Sequence, residues 1–374
     1  MGTDGKNVPR PSSSRCDLPS DFRHSRRGVE RRAVWCNVWC MQYTFLTAFV
    51  LGICLQATAA PPVAKQLSVK KIWDEAPHSA FTDLAYWKDQ FVCAFREGRN
   101  HMSTDGRIRV LGSKNGASWE SLAVLTLEGF DLRDAGLSIT PDGRLMLIGG
   151  AAPRKKDGQG SLTGSFVSFS DDGKMWAKPQ IVSEPGRWLW RVTWHEGKAY
   201  GISYGSGHPR TPDRATSLVV SEDGIKYRDL VARLFDDPMP TEATLRFGED
   251  GTMYCLQRRD GQPVFRSAFL GSSRPPYKDW KWHDLGTHVG GPNFIRLPSG
   301  QWIAAGRFYE DKKPHTGLAS LDVEKGTIQP ILQLPSGGDT SYPGLLWREG
   351  VLWVSYYSSH EGKTSIYLAK VAIE

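Results

Sequence analysis

Beyond residue 60 this chain has only two cysteines, Cys93 and Cys255; the other four of its six, Cys16, Cys36, Cys40 and Cys54, come earlier. So few thiols exclude a disulfide-stapled scaffold. Heptads and long amphipathic helices are missing too, which excludes coiled coils and helical bundles. The apolar run Thr44–Leu55 has about a dozen residues, short of the roughly 20 that a membrane span needs. No zinc or calcium loop occurs, and His195, His208, His283 and His288 lack ligand spacing, so neither a metal nor another cofactor is expected. A concentrated basic stripe is also absent. Of the formal +7, residues 1–60 supply +4 (8 Lys+Arg against 4 Asp+Glu), leaving +3 for residues 61–374. That balance argues against a nucleic-acid partner.

Residues 1–60 read as an N-terminal extension plus a secretory signal. Arg23, Arg26, Arg27, Arg31 and Arg32 precede the apolar run, and Ala57-Thr58-Ala59-Ala60-Pro61 follows it. The expected location is secreted or periplasmic. An uncleaved anchor and a start at Met41 are alternatives.

What the chain has is β-structure signal. It holds 14 Trp and 39 Gly, and short runs of Val, Ile, Tyr, Trp and Phe alternate with Asp-Gly, Glu-Gly and Ser-Gly pairs, the mark of hairpins. Six segments share one plan of strand, turn, strand: Thr82–Trp87/Phe91–Arg96, Ala135–Thr140/Leu145–Gly150, Arg191–Trp194/Ala199–Tyr204, Thr241–Phe247/Met253–Arg258, Asn293–Leu297/Trp302–Arg307 and Ser341–Trp347/Leu352–Tyr357. A spacing of roughly 45–55 residues matches a four-stranded blade. The prediction is an all-β, six-bladed β-propeller over residues 61–374. The last repeat offers only three strands, so Leu67–Asp74 is expected to complete it and leave no open edge. Cys93 and Cys255 then stand three blades apart, beyond the roughly 7 Å a disulfide allows, as buried free thiols.

Three blades add the pattern Ser-x-Asp/Asn-Gly-x-x-aromatic: Ser113-Lys-Asn115-Gly116-Ala-Ser-Trp119, Ser170-Asp-Asp172-Gly173-Lys-Met-Trp176 and Ser221-Glu-Asp223-Gly224-Ile-Lys-Tyr227. The Asp or Asn side chain folds onto the turn backbone, Gly takes φ > 0, and the aromatic packs back on the blade. These turns resemble the Asp-boxes of the sialidase (BNR-repeat) superfamily, where they are structural. The resemblance covers roughly residues 67–374.

Thr241-Glu242-Ala243-Thr244-Leu245 with Gln257-Arg258 looks like the family's strand pair, in which a Glu precedes one strand and an Arg ends the next. Gly338-Asp-Thr-Ser341-Tyr342-Pro343 is similar to its segment around a nucleophilic Tyr, and Phe95–Arg99 with Thr104-Asp105-Gly106 to its first-blade acid/base loop. The resemblance implies Tyr342 as nucleophile, Glu242 as its base and Asp105 as acid/base, with Arg258 on a substrate carboxylate. A Tyr nucleophile suits a sugar whose own carboxylate would repel an anionic one. The chain departs from the family in the first blade, where Phe81-Thr82-Asp83-Leu84 replaces Phe/Tyr-Arg-Ile-Pro, and the family's third Arg falls near His315. Arg96 and Arg307 are therefore substitutes drawn from the repeat register, seven residues past each turn. Ties to neighbouring acids are the alternative for each Arg. Arg133 is a rival anion ligand and Asp83 a rival acid. His101 reads as a solvated loop residue, and Trp188 and Trp190 as blade packing or a sugar platform.

The function expected is a monomeric exo-glycoside hydrolase of the sialidase type, releasing a terminal sialic acid or related acidic sugar from glycans. The alternatives are a glycan-binding propeller without catalysis, and a hydrolase or lyase on another acidic sugar.

Overall fold

Near-continuous apolar runs in the second strand of each repeat, such as Phe91-Val-Cys-Ala-Phe95 and Leu145-Met-Leu-Ile148, cannot leave either face in water. They are satisfied by standing each sheet between two others. The computed structural model describes residues 62–154, 163–205, 215–261 and 266–374, and the expected signal segment lies outside the described residues. Every sheet in it is a four-stranded antiparallel blade, and there are six. The innermost strands, in blade order, are His78–Trp87, Phe130–Ile139, Arg187–His195, Pro240–Phe247, Gly290–Arg296 and Thr340–Arg348. Each touches the innermost strand of the next blade, and the sixth touches the first, so the ring is closed.

The closure is the one expected, three residues longer at its start. Strand Ala64–Trp73 pairs antiparallel with Ser365–Ile373 on the outside of blade 6, Ala64 opposite Ile373 and Lys71 opposite Tyr367. Backbone bonds between Val63 and Glu374 extend the pairing at 3.0 and 2.9 Å.

The core is divided into six apolar clusters, one between each pair of adjacent blades. Cys93 belongs to the layer between blades 6 and 1 and Cys255 to that between blades 3 and 4; both are buried and free. Burial pushes both thiols far up from their usual range.

The three Ser-x-Asp/Asn-Gly turns join the third and fourth strands of blades 1–3. In blade 2, Asp172 Oδ1 accepts from the backbone of Lys174 and Met175 at 2.8 and 2.7 Å, and Trp176 Nε1 donates to Gly173 O at 3.0 Å. Asn115 and Asp223 accept in the same way in blades 1 and 3. Gly116, at φ 67°, sits where a Cβ would meet the Trp353 ring of blade 6 at 2.5 Å. The turn thus packs against the neighbouring blade as well as closing its own hairpin.

Candidate active site

Each innermost strand carries a β-bulge near its start. The register slips between Ala80 and Asp83, Arg133 and Gly136, Leu189 and Val192, Pro240 and Ala243, Gly290 and Asn293, and Ser341 and Gly344. At each slip two residues oppose one, which re-aims a side chain and bends the strand. Phe81, Asp134 and Tyr342 take φ of 63°, 55° and 51° there, a left-handed backbone that non-glycine residues seldom adopt. Six bulges at one end of one ring gather Phe81, Asp134, Trp190, Glu242, Gly291 and Tyr342 into mutual reach.

Tyr342 is the centre of this layer and is 8% exposed. The rings of Phe81 and Trp190 stand edge-on to it at 5.0 and 5.7 Å. Gly291 leaves room for it: a Cβ there would lie 2.8 Å from the Tyr342 ring. The Tyr342 hydroxyl donates to Glu242 Oε1 at 2.5 Å, from blade 6 to blade 4. Arg258 holds the other oxygen of Glu242 and donates through Nε to Asp260 Oδ1 at 2.8 Å. Burial, the Glu242 charge and the Asp134 charge push the Tyr342 hydroxyl well above the usual phenol range. It therefore needs a base to ionise, and the carboxylate already bonded to it is placed for that transfer.

Arg307 approaches from blade 5. Its Nε donates to Thr340 O at 2.7 Å and its Nη2 to the Tyr357 hydroxyl at 3.1 Å. Its Nη1 has no hydrogen bond among the described residues. The Tyr357 hydroxyl donates to Asp339 Oδ1 at 3.1 Å, and Asp339 Oδ2 faces His78 Nε2 at 2.9 Å and His101 Nδ1 at 2.7 Å. Burial would raise the Asp339 carboxyl, but the bonds from His101 and His78 outweigh it and hold the group far below the usual range.

Four of the eight residues singled out in the sequence thus converge: Tyr342, Glu242, Arg258 and Arg307. The other four lie in different surroundings. Arg96 is wholly buried and fully bonded, to Asp131 Oδ1 at 3.1 Å and to Asn100 O and Ser103 O at 3.1 and 2.7 Å. The seven-residue count also misjudges its partners, because the strands of blade 4 run one residue further between turn and bulge than those of blade 5. Arg259, opposite Pro240, is the true counterpart of Arg96 opposite Ala80 and Arg307 opposite Gly290. Arg133 is tied to Asp131 Oδ2. Asp83 bonds Arg191 at 2.7 Å and accepts from Leu137 N at 2.8 Å, a buried brace across blades 1, 2 and 3. Asp105 sits on its loop against Arg99 Nε at 3.1 Å. Burial there works upward, but bonds from Ser103 and the Arg99 backbone prevail and hold its carboxyl below the usual range.

Asp134 and the pair His78–Asp339 went unrecognised in sequence. Burial pushes the Asp134 carboxyl up to about 7, opposed by the Arg133 charge and reinforced by that of Glu242. The signal for it was the Arg133-Asp134 step just ahead of an apolar strand, and the bulge that turns it inward has no sequence mark. Trp190 is 2% exposed and serves as packing for Tyr342. Trp188 lies over Gly150 and stacks on Tyr204 with centroids 6.2 Å apart.

No family model and no curated protein matches this chain. Solved structures do. A protein of unknown function from Dyadobacter fermentans matches with a TM-score of 0.71 at 20% identity, over 84% of this chain and 100% of that one. A sialidase from Trypanosoma rangeli, in complex with the inhibitor DANA, matches with 0.63 at 13% identity, over 83% of this chain and 60% of its own. An α-L-arabinofuranosidase from Fusarium graminearum matches with 0.64 at 15% identity, over 82% and 97%. This chain is therefore a six-bladed β-propeller of the architecture used by propeller glycoside hydrolases. At these identities the likeness is one of fold.

Proposed function

We propose that this protein is an exo-acting glycoside hydrolase of the sialidase type that releases a terminal sialic acid or related acidic sugar. The observation that carries the reading is the Tyr342–Glu242 pair, 2.5 Å apart in a buried layer with Arg258 on the far oxygen of Glu242. In the first step the Tyr342 oxygen bonds to the anomeric carbon as the glycosidic C–O bond breaks. The Tyr342 proton passes to Glu242, and an acid protonates the leaving oxygen. In the second step that acid, now a base, takes a proton from water, whose oxygen bonds to the anomeric carbon as the bond to Tyr342 breaks and Glu242 returns its proton to the Tyr342 oxygen. Arg258 and Arg307 bring cationic charge to the substrate's carboxylate.

The resemblance assigns the acid role to Asp105. Asp134 is the stronger choice because it lines the same small cavity as Tyr342 and its carboxyl is raised to about 7, whereas Asp105 is bonded to Arg99 on its loop and held below the usual range. A glycan-binding propeller without catalysis is the second reading, favoured by the engagement of Arg258 with its own Glu242 and Asp260.

A panel of aryl glycosides carrying sialic acid, a uronic acid and α-L-arabinofuranose tests the proposal. Release of the aryl group from an acidic sugar, abolished in Tyr342→Phe, supports it. Turnover of the neutral sugar alone overturns the acidic specificity. An inert wild type that still binds the free acid favours the binding module.

A further inference from the structure

We propose that His78, His101 and Asp339 form a binding site for a divalent transition-metal cation of the zinc class. Their donor atoms, His78 Nε2, His101 Nδ1 and Asp339 Oδ2, all lie within 4.8 Å of one another. Both rings point at the same carboxylate oxygen, at 2.9 and 2.7 Å. Zinc bonds of about 2.0–2.1 Å in tetrahedral array set donor atoms roughly 3.3 Å apart, so a cation needs these contacts to open by only a few tenths of an ångström. Two imidazoles and one carboxylate form a borderline donor set suited to zinc and its first-row neighbours, and a poor one for calcium.

The surroundings hold Asp339 and the His101 loop in place, while His78 Nδ1 is buried without a hydrogen-bond partner among the described residues. The second oxygen of Asp339 accepts from the Tyr357 hydroxyl at 3.1 Å, and the Asp339 backbone N–H donates to Ser359 Oγ at 2.8 Å. His78 lies on the innermost strand of blade 1 and is 6% exposed. His101 belongs to a loop, but the loop is locked: Ser103 Oγ donates to Asn100 O at 2.8 Å and accepts from Asn100 N at 3.1 Å. Arg96 fixes the same turn from beneath, with a fully buried guanidinium on Asn100 O and Ser103 O. The Phe81 ring stands edge-on to His101 at 5.1 Å, at an interplanar angle of 89°. A histidine merely solvated on a loop needs none of this support.

The His101 side chain is 43% exposed, so the site opens to solvent on that side. Three protein donors and one open face leave the cation a position for water or a ligand oxygen, the arrangement of non-structural zinc sites. Arg307 lies one hydroxyl away, through Tyr357. The cation and the guanidinium together make this wall of the site doubly cationic. The metal site itself does not depend on the glycosidase reading and is tested separately from it.

The experiment is titration of zinc into the metal-stripped, tag-free full chain, followed by competition with a chromophoric chelator, with cobalt(II) absorption as a second probe. The expected result is one equivalent bound at micromolar zinc or below, with a cobalt spectrum in the visible. His101→Ala and Asp339→Asn should each weaken binding at least about 100-fold, while Tyr357→Phe, which keeps all three donors, costs about 10-fold. Circular dichroism checks that each variant is folded; His101→Ala removes a half-exposed ring and keeps the fold. Absence of stoichiometric binding in the wild type, or unchanged affinity in both His101→Ala and Asp339→Asn, overturns the site.

Discussion

Arg96 and Arg307 occupy the same register, each opposite the residue that precedes the bulge of its blade, yet they meet opposite fates. Arg96 is wholly buried and its donors end on Asp131 and on the loop that carries His101. Arg307 keeps Nη1 unbonded among the described residues and reaches Tyr357 in the neighbouring blade. The difference comes from what each adjoining blade offers: a buried carboxylate beside Arg96, and a hydroxyl beside Arg307. A guanidinium out of water needs a matched acceptor, and Asp131 supplies it.

Arg96→Ala should accordingly act on stability. Loss of a buried, fully bonded guanidinium leaves polar groups unpaired, with an expected cost of about 3 kcal/mol or more. Chemical denaturation measures it. A variant as stable as the wild type would show that Arg96 is not the brace described.

Glu242→Gln keeps the shape of the side chain and removes its basicity. Turnover of any aryl glycoside the wild type cleaves should fall about 10²–10⁴-fold, the usual contribution of a positioned base. Stability should fall as well, because Arg258 loses a buried ionic partner, so turnover is compared per folded molecule. An unaffected kcat would remove Glu242 from the reaction.

Gly291→Ala tests the packing around Tyr342. The backbone there has φ 56°, and the added Cβ would stand 2.8 Å from the Tyr342 ring and from Ser341 Oγ. Stability should fall by about 1–3 kcal/mol. Turnover should fall further than stability alone explains, because the Tyr342 ring must move. Paired melting and kinetic measurements separate the two.

Asp134 gives the pH dependence. Its folded-state value of about 7 lies above the ordinary 3.8, so the folded protein keeps a proton that the unfolded chain releases. This contribution is fully present below pH 3.8 and is lost as pH rises through about 7. Asp134→Asn, which has nothing to titrate, should therefore be more stable than the wild type at pH 8, by a few kcal/mol at about 1.4 kcal/mol per pH unit. That advantage should vanish near pH 4. Denaturation at a series of pH values shows whether the two stability curves converge on the acid side.

Removal of residues 61–76 deletes the outer strand of blade 6 and strips Ser365–Ile373 of its partner. Thermal unfolding should occur at a much lower temperature, with aggregation through the freed edge. An unchanged melting temperature would mean that the ring does not rely on this closure.

Much of the fold was legible because it is written locally. Alternation of period two, turn pairs such as Lys88-Asp89 and Glu349-Gly350, and the Ser-x-Asp/Asn-Gly turns each depend on a few adjacent residues, so six blades could be counted from the chain. The free state of Cys93 and Cys255 followed from the same count.

The site was only half legible, and the bulges are the reason. A fixed offset from each turn supposes strands of equal length, and blade 4 breaks that rule, so Arg258 and Arg307 stand at different register positions. No local pattern announced that Asp134 would turn inward at φ 55°, or that His78, His101 and Asp339 would meet.

The chain itself determined strand periodicity, blade number and the partner of its first strand, because hydrophobic alternation and turn chemistry act over a few residues. Tertiary structure alone decided which charges converge. His78 and Asp339 are 261 positions apart and Tyr342 and Glu242 are 100 apart, and only ring closure and the bulge geometry place them in contact.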